Sequence, residues 1–266
     1  MTEPVYKIVD VTTENVDEYD LFCHKSKKKM PGYRNKLAWF KQRYNEGLRI
    51  KLLLVHEGTR GFVSRGFIEY IPGEYAWRGI DAKGYMVIHC IWVVGRNKKK
   101  GYGSELMEMC VKDAEEMGLH GVAVVTSKKG HWLPKEKLFL KHSFEKVDTL
   151  PPFFELYTKR FSENAPLPRF YPVTEENIKK FGSGITLLYS YQCPYVYDMV
   201  AMVEEIARRA DIPIQLEPLT DNSMVQEYGM HPYGVFCTLM DGEILTHHYE
   251  TEKGFVKLLT ERGIKF

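Results

Sequence analysis

The 266-residue chain contains no Cys-x-x-Cys pair and no uninterrupted apolar run approaching membrane-spanning length. Its opening residues, Met1-Thr2-Glu3-Pro4, lack a basic and then apolar leader. The first absence argues against a structural zinc site. The five cysteines (Cys23, Cys90, Cys110, Cys193, Cys237) are odd in number and scattered, which argues against a disulfide framework. The second absence excludes a helix crossing a bilayer. With the third, the expectation is a soluble, cytoplasmic, reduced protein with no membrane partner and no metal. A Gly-Lys-Ser/Thr for a Walker A loop is missing, as is the third glycine of a dinucleotide fingerprint. What is present is 44% apolar, 13% aromatic and 27% charged residues. That composition excludes disorder and is enough for two cores.

The net charge of +2 hides a split. Residues 1–164 hold 28 Lys/Arg against 21 Asp/Glu, whereas residues 165–266 hold 9 against 14. A basic half suits a polyanionic ligand. The acidic half permits a cationic amine as a second ligand. The boundary falls at Ser162-Glu163-Asn164-Ala165-Pro166-Leu167-Pro168-Arg169, whose prolines and polar residues read as a linker. The expected division is residues 1–161, a linker over 162–183, and residues 184–266.

In the first half, strands are expected over 6–11, 50–56, 63–71, 85–94, 121–126 and 153–159. Helices are expected near 14–25, 33–46, 102–117 and 134–142. Alternation over 85–94 places Tyr85, Val87, His89, Ile91 and Val93 on one face and Cys90 on the other. The helix after it is expected to bury Leu106, Met109, Cys110 and Val111. This order describes an α/β layout around one sheet.

Between the long strand and that helix lies Gly95-Arg96-Asn97-Lys98-Lys99-Lys100-Gly101-Tyr102-Gly103-Ser104. A loop that opens a helix presents backbone N–H groups and the positive end of the helix dipole. Glycines let an anion approach the backbone, and the lysines add attraction, so a pyrophosphate fits. The strand, the 98–103 segment and the helix resemble motif A of the GNAT family of N-acetyltransferases, Arg/Gln-x-x-Gly-x-Gly/Ala. Val93 and Gly95 fall where that family carries Val-x-Pro. Phe139-Leu140-Lys141-His142-Ser143-Phe144 resembles its Tyr-x-x-x-Gly-Phe. The resemblance covers residues 6–160. It implies a mixed sheet with flanking helices, acetyl-CoA as cosubstrate and acetyl transfer to the amine of a small molecule or peptide. It further implies that Lys98, Lys99, Lys100, Gly101, Tyr102, Gly103 and Ser104 cradle the pyrophosphate. The backbone of Trp92, Val93 and Val94 would hold the pantetheine. The chain departs from the pattern at Lys98, at Ser143 and at Phe139. Phe139 stands where many members carry a tyrosine that protonates the leaving thiolate, which a phenyl ring cannot do.

Acetyl transfer needs a base, because an ammonium is not a nucleophile. In the resembling family, the strand before motif A often supplies a carboxylate. The matching face here holds Val87 and His89 and no acid, so His89, titrating near neutrality, is the first candidate base. Glu69 on the neighbouring strand is the second. His131 and Trp132 read either as part of an acceptor pocket or as a surface loop. Lys25-Ser26-Lys27-Lys28-Lys29 reads as a solvated face, and without interleaved aromatics it implies no nucleic-acid partner.

The second half reads β-α-β-α-β-β-α, with a hairpin at Asp241-Gly242. This order resembles the thioredoxin/glutaredoxin fold. Cys193-Pro194-Tyr195 matches the start of a Cys-Pro-Tyr-Cys motif whose second cysteine is replaced by Val196. A cysteine at a helix N-terminus is expected to have a lowered pKa and to be reactive, though only in monothiol chemistry. A GNAT half followed by such a domain, with His231-Pro232-Tyr233-Gly234-Val235-Phe236-Cys237, resembles the YoaP-type GNAT proteins. Two other readings stay open here: a non-catalytic CoA-binding or regulatory module, given Phe139, and a monothiol redox protein using Cys193.

Overall fold

A computed structural model of the chain describes residues 5–129, 132–172, 174, 176, 180–228 and 232–266. The first half forms a seven-stranded sheet from β1 (Tyr6–Val11), β2 (Arg49–His56), β3 (Phe62–Pro72), β5 (Tyr85–Val93), β6 (Gly121–Ser127), β7 (Glu145–Leu150) and β8 (Phe154–Arg160). Its order is β1-β2-β3-β5-β6-β8-β7. Every neighbouring pair is antiparallel except β5 with β6. That parallel crossover is made by α2 (Tyr102–Glu116), while α1 (Pro31–Tyr44) joins β1 to β2 and α3 (Glu136–Lys141) precedes β7.

Period-2 alternation divides the sheet between two cores. Leu53, Ile68, Tyr70, Met86, Ile88 and Val124 face α2 and α3, against Leu106, Met107, Cys110, Ala114 and Phe139. Met107 therefore takes the buried place expected for Met109, which is only half-buried. Leu52, Leu54, Phe67, Tyr85, Val87 and Val125 face the other way, onto Trp39 and Phe40 of α1 and onto the second half of the chain.

The helix expected near 14–25 is replaced by turns ending in one 3-10 turn, Lys25–Lys27. Local side-chain bonds compete with a helix there: Asn15 Oδ1 accepts the Thr12 N–H at 2.8 Å, and Asn15 Nδ2 donates to Asp10 O at 2.9 Å. The strand β7 carries too few apolar residues to show a period, and pairing with β8 alone makes it.

The second half has a four-stranded sheet of β10 (Ile185–Tyr189), β11 (Ile214–Pro218), β12 (Phe236–Met240) and β13 (Glu243–Thr246), ordered β11-β10-β12-β13. Its helices are α4 (Val196–Arg209), α5 (Asn222–Tyr228) and α6 (Glu252–Glu261). The strands β10 and β11 are parallel, with α4 between them in sequence, and the other pairs are antiparallel. Asp241 and Gly242, at φ 52° and 77°, supply the two left-handed positions of the β12–β13 turn.

Residues 166–170 of the expected linker are tied to the first half. Two short strands, β4 (Ile80–Asp81) and β9 (Arg169–Phe170), pair antiparallel. The Tyr85 hydroxyl donates to Pro166 O at 2.8 Å, and the Phe170 N–H donates to Asp148 Oδ2 at 2.8 Å. One core continues from Leu52, Trp77 and Tyr85 through Phe170 to Leu187, Val203, Phe236 and Phe255. The two sheets therefore share a hydrophobic interior. A Cβ on Gly234, whose φ is +67°, would lie 2.1 Å from the Trp77 carbonyl oxygen.

Denaturant unfolding is thus expected to show one transition for both halves. Gly234→Ala should lower stability by about 2–4 kcal/mol, from left-handed strain plus overpacking. Fluorescence and circular dichroism along a urea titration check both. Two separate transitions would contradict the shared core.

Candidate active site

The site begins with a register shift. In the β3–β5 ladder Glu69 faces Cys90 and Tyr70 faces Ile88, so His89 is an extra residue in β5. A bulge bends its strand and resets the alternation. Cys90 consequently joins His89 on the same side, against the expectation that the two face apart, and Ile91 crosses to the α2 side. Beyond the bulge β5 leaves β6: their pairing runs only from Tyr85–Gly121 to Ile88–Val124.

The gap opens into a groove of about 880 Å³. Trp92 and Val93 line it, with Lys98, Lys99, Gly101, Gly103 and Ser104 at the start of α2. Lys129, Lys135, Lys137 and Lys141 supply cations that the sequence pattern did not single out, and among the described residues no acidic side chain lines the groove. Gly95, Lys99 and Gly101 take left-handed φ values of 60°, 63° and 89°, turning the loop so that α2 starts at the groove. The Lys98 ammonium lies 5.4 Å from the Trp92 ring centroid. Three expected members lie outside this groove: Val94 lines the neighbouring one, Lys100 is exposed, and the Tyr102 side chain is buried against β-sheet residues. Phe139 does not reach the groove either; it is fully buried and packs edge-to-face on Phe144, centroids 5.3 Å apart.

A second groove, of about 770 Å³, meets the first at Trp92 and Trp132. Phe22, Cys23, His24, Lys25, Ser26, Lys27, Arg65, Phe67, Cys90 and Tyr195 complete it. The 25–29 run is therefore not simply solvated: Lys25 is half-buried and its ammonium donates to Ser64 O. His24, which no sequence motif marked, packs edge-to-face on Tyr195 at 4.1 Å, and its buried Nδ1 has no hydrogen-bond partner among the described residues. Burial lowers its pKa below the ordinary 6.5, with Lys27 adding to and Asp198 opposing the shift. The imidazole is thus neutral at pH 7. His131 lies outside the described residues. Trp132, at φ 63°, lines both grooves and sits 5.1 Å from Tyr195 and 5.0 Å from Tyr249, centroid to centroid.

Behind the grooves is a closed polar node around a cavity of about 70 Å³. Glu69 is 1% exposed. Its Oε2 accepts from the Lys36 ammonium, and its Oε1 accepts from Gln192 Nε2 at 2.9 Å and lies 3.3 Å from His89 Nδ1. The Trp77 N–H donates to His89 Nε2 at 3.0 Å, so the ring proton belongs on Nδ1, donated to Glu69. Arg78 donates to the carbonyl oxygens of Trp77 (2.6 Å) and His89, and to Gln192 Oε1 at 2.7 Å. Burial alone would raise the Glu69 pKa, but Lys36 and His89 outweigh it and hold it at about 2. Burial lowers His89 to about 4 despite Glu69. These facts correct the expected roles. His89 has no lone pair to offer a substrate, and every Glu69 oxygen is engaged.

Cys23, Cys90 and Cys193 line the same cavity. Cys193 departs from expectation: it is half-buried and lies ahead of α4, and burial raises its thiol pKa even though Tyr249 and the Tyr195 backbone oppose the shift. Burial and Glu69 push Cys90 up to about 12. At pH 7 these are thiols rather than thiolates. Among the described residues no group of three or more His, Cys, Asp or Glu is placed to hold a metal ion, and no helix is long and apolar enough to cross a membrane.

The chain is 30% identical, over 254 residues, to a protein of Bacillus subtilis strain 168 named Uncharacterized N-acetyltransferase YoaP, covering 94% of this chain and 97% of that one. It belongs to the YoaP family of N-acetyltransferases. No protein-family model matches it. Among solved structures, a GNAT-family acetyltransferase from Staphylococcus aureus Mu50 shares 14% identity at TM-score 0.40, covering 58% of this chain and 99% of that chain. Salmonella typhimurium yncA, solved with its cofactor acetyl-CoA, shares 14% identity at TM-score 0.40, covering 61% and 98%. An acetyltransferase from Thermus thermophilus shares 15% at TM-score 0.39, covering 59% and 97%. In this YoaP-family member one buried carboxylate, Glu69, sits behind the groove between β5 and β6 without lining it.

Lys36→Met should cost about 3–5 kcal/mol at pH 7, because it leaves Glu69 buried without its cation. The pH sign follows from the Glu69 pKa. Held at about 2 against an ordinary 4.5, it adds stability above pH 4.5 that fades towards pH 2. In the variant the Glu69 pKa rises, so its deficit should be largest at neutral pH and shrink on acidification. Urea midpoints from pH 4 to 8 check this, and a pH-independent deficit would contradict it.

Proposed function

We propose that the protein transfers acetyl from acetyl-CoA to an amine, with acetyl-CoA in the β5–β6 groove and the acceptor in the groove beside it. The observation carrying this reading is the first groove itself: six lysines, no carboxylate, and the N-terminus of α2 at one end of a gap between splayed strands. A pyrophosphate at Lys98, Lys99, Gly101, Gly103 and Ser104 would meet both the dipole and the ammonium groups. Pantetheine, which makes amide hydrogen bonds, suits the β5 edge at Trp92 and Val93, left without a β6 partner.

The two grooves meet at Trp92 and Trp132, which supports a reaction between them there. The neutral acceptor nitrogen attacks the thioester carbonyl, a C–N bond forms and the C–S bond breaks. We assign the base to His24 instead of His89 or Glu69, since its imidazole is neutral at pH 7 and faces the acceptor groove. The imidazolium so formed has a pKa below 6.5, and a thiol ordinarily titrates near 8.5. His24 can therefore return the proton to the departing thiolate, which removes the need for the tyrosine that Phe139 replaces. The second half is read as thioredoxin-like, supported by its parallel β10–α4–β11 unit and its β12–β13 hairpin. With Cys193 held as a thiol and no second cysteine at Val196, that half serves as a wall of the acceptor groove through Tyr195.

Calorimetric titration with acetyl-CoA should show saturable binding that Gly101→Asp weakens roughly 100-fold. A carboxylate about 5 Å from the pyrophosphate costs about 3 kcal/mol at an effective dielectric of 20. Asp tolerates the left-handed position better than most residues. Folded wild-type protein that binds no acetyl-CoA would overturn the reading. His24→Asn keeps the left-handed backbone at φ 55°. It should lower kcat roughly 100-fold or more in a thiol-release assay while leaving acetyl-CoA affinity intact. The wild-type acid limb should lie below pH 6.5, because the base must be unprotonated and its pKa is lowered.

A further inference from the structure

We infer that the acceptor is an amphoteric amine of the amino-acid type, an aromatic or apolar body carrying an anionic group beside its amine, and not a polyamine or other purely cationic amine. The inference rests on the acetyl-transfer reading above and concerns the second groove alone. That groove is lined by the cations of Lys25, Lys27 and Arg65 and by neutral His24, with no acidic side chain among its lining residues.

The nearby carboxylates are already engaged. Glu57 receives both arms of Arg65, at 2.8 and 2.6 Å, and is shared with Arg60 at 2.6 Å and Arg96 at 3.5 Å. Three guanidinium groups thus surround one carboxylate and leave an excess of positive charge at this end. Asp20 accepts the Ser64 hydroxyl and attracts Lys25, and Asp198 acts on His24; neither lines the groove. The cavity behind it sets two further cations, Lys36 and Arg78, against the single Glu69. An acceptor with only ammonium groups would enter a positive field with no counter-charge. One with a carboxylate, phosphonate or phosphate finds the Lys27 ammonium, while Arg65, held by Glu57, adds to the field.

The remaining wall is aromatic. Phe22 and Phe67 stack at 4.7 Å and 25°, Trp92 is 48% exposed and Trp132 47%. Exposed indoles at the mouth of a groove suit a planar or apolar body. The volume of about 770 Å³ lies within the range of small-molecule sites. The acidic net charge of the second half, which in sequence permitted a cationic acceptor, bears on this groove through Asp198, which acts on His24 without lining it. The residue it contributes here is Tyr195.

The test uses the full chain saturated with CoA and two product-like probes that share one ring system, N-acetyl-L-tryptophan and the uncharged N-acetyltryptamine. Calorimetry should show the anionic probe binding at least tenfold more tightly. Lys27→Ala should reduce that preference about threefold and Lys27→Glu about tenfold. Unchanged CoA affinity in the same variants reports that they fold. Equal affinities, tighter binding of the neutral probe, binding of neither, or a preference indifferent to Lys27→Glu would each overturn the inference while leaving the CoA site intact. A wild-type protein that fails to bind CoA in the first titration would overturn the acetyl-transfer reading instead, and the inference with it.

Discussion

The buried carboxylate of Glu69 is the constraint on which the rest is arranged. A carboxylate removed from water costs several kcal/mol unless it is paired and hydrogen-bonded. Its partners come from three separate stretches of chain: Lys36 from α1, His89 from the bulge in β5, and Gln192 from the segment entering α4. Neutralising one charge therefore fixes the helix across the sheet, the irregularity within it and the seating of the second half upon it. Beyond the bulge β5 leaves β6, so the groove assigned to acetyl-CoA follows from the same node.

Charge is distributed with the same economy. The groove assigned to acetyl-CoA gathers lysines from the α2 loop, the segment after β6 and the approach to α3. The groove assigned to the acceptor is lined by cations at one end and by aromatic side chains along its wall. Trp92 and Trp132 separate the two and belong to both. Under the proposed assignment, an acceptor would be held by forces that do not compete for the carboxylate on which the fold relies.

The second half is part of this site as well as of the core. Tyr195 lines the groove assigned to the acceptor, and Trp132 rests on Tyr195 and Tyr249. The first half presents a whole apolar sheet face, with Leu52, Phe67, Tyr85 and Val125, that α1 covers only in part. Burial of that face against the second sheet explains why residues 165–170 are tied down where their composition suggested a free tether.

The sequence alone determined most of the strand and helix order, with the helix over 14–25 and the strand β7 as exceptions, and the glycine-containing loop ahead of α2. These depend on local period, turn chemistry and glycine placement, which act between residues close in the chain. The local pattern also assigned His89 and Cys90 to opposite faces and Cys193 to a reactive helix terminus. Both followed from ideal alternation and from exposure that sequence cannot register. Only tertiary structure decided that one inserted residue in β5 would turn His89 into a neutral tie between Trp77 and Glu69. It likewise decided that His24, in a segment expected to be helical, would line a groove while its buried Nδ1 has no hydrogen-bond partner among the described residues. Bulges, buried charge partners and pKa shifts arise from contacts between residues far apart in the chain, and no local period carries them.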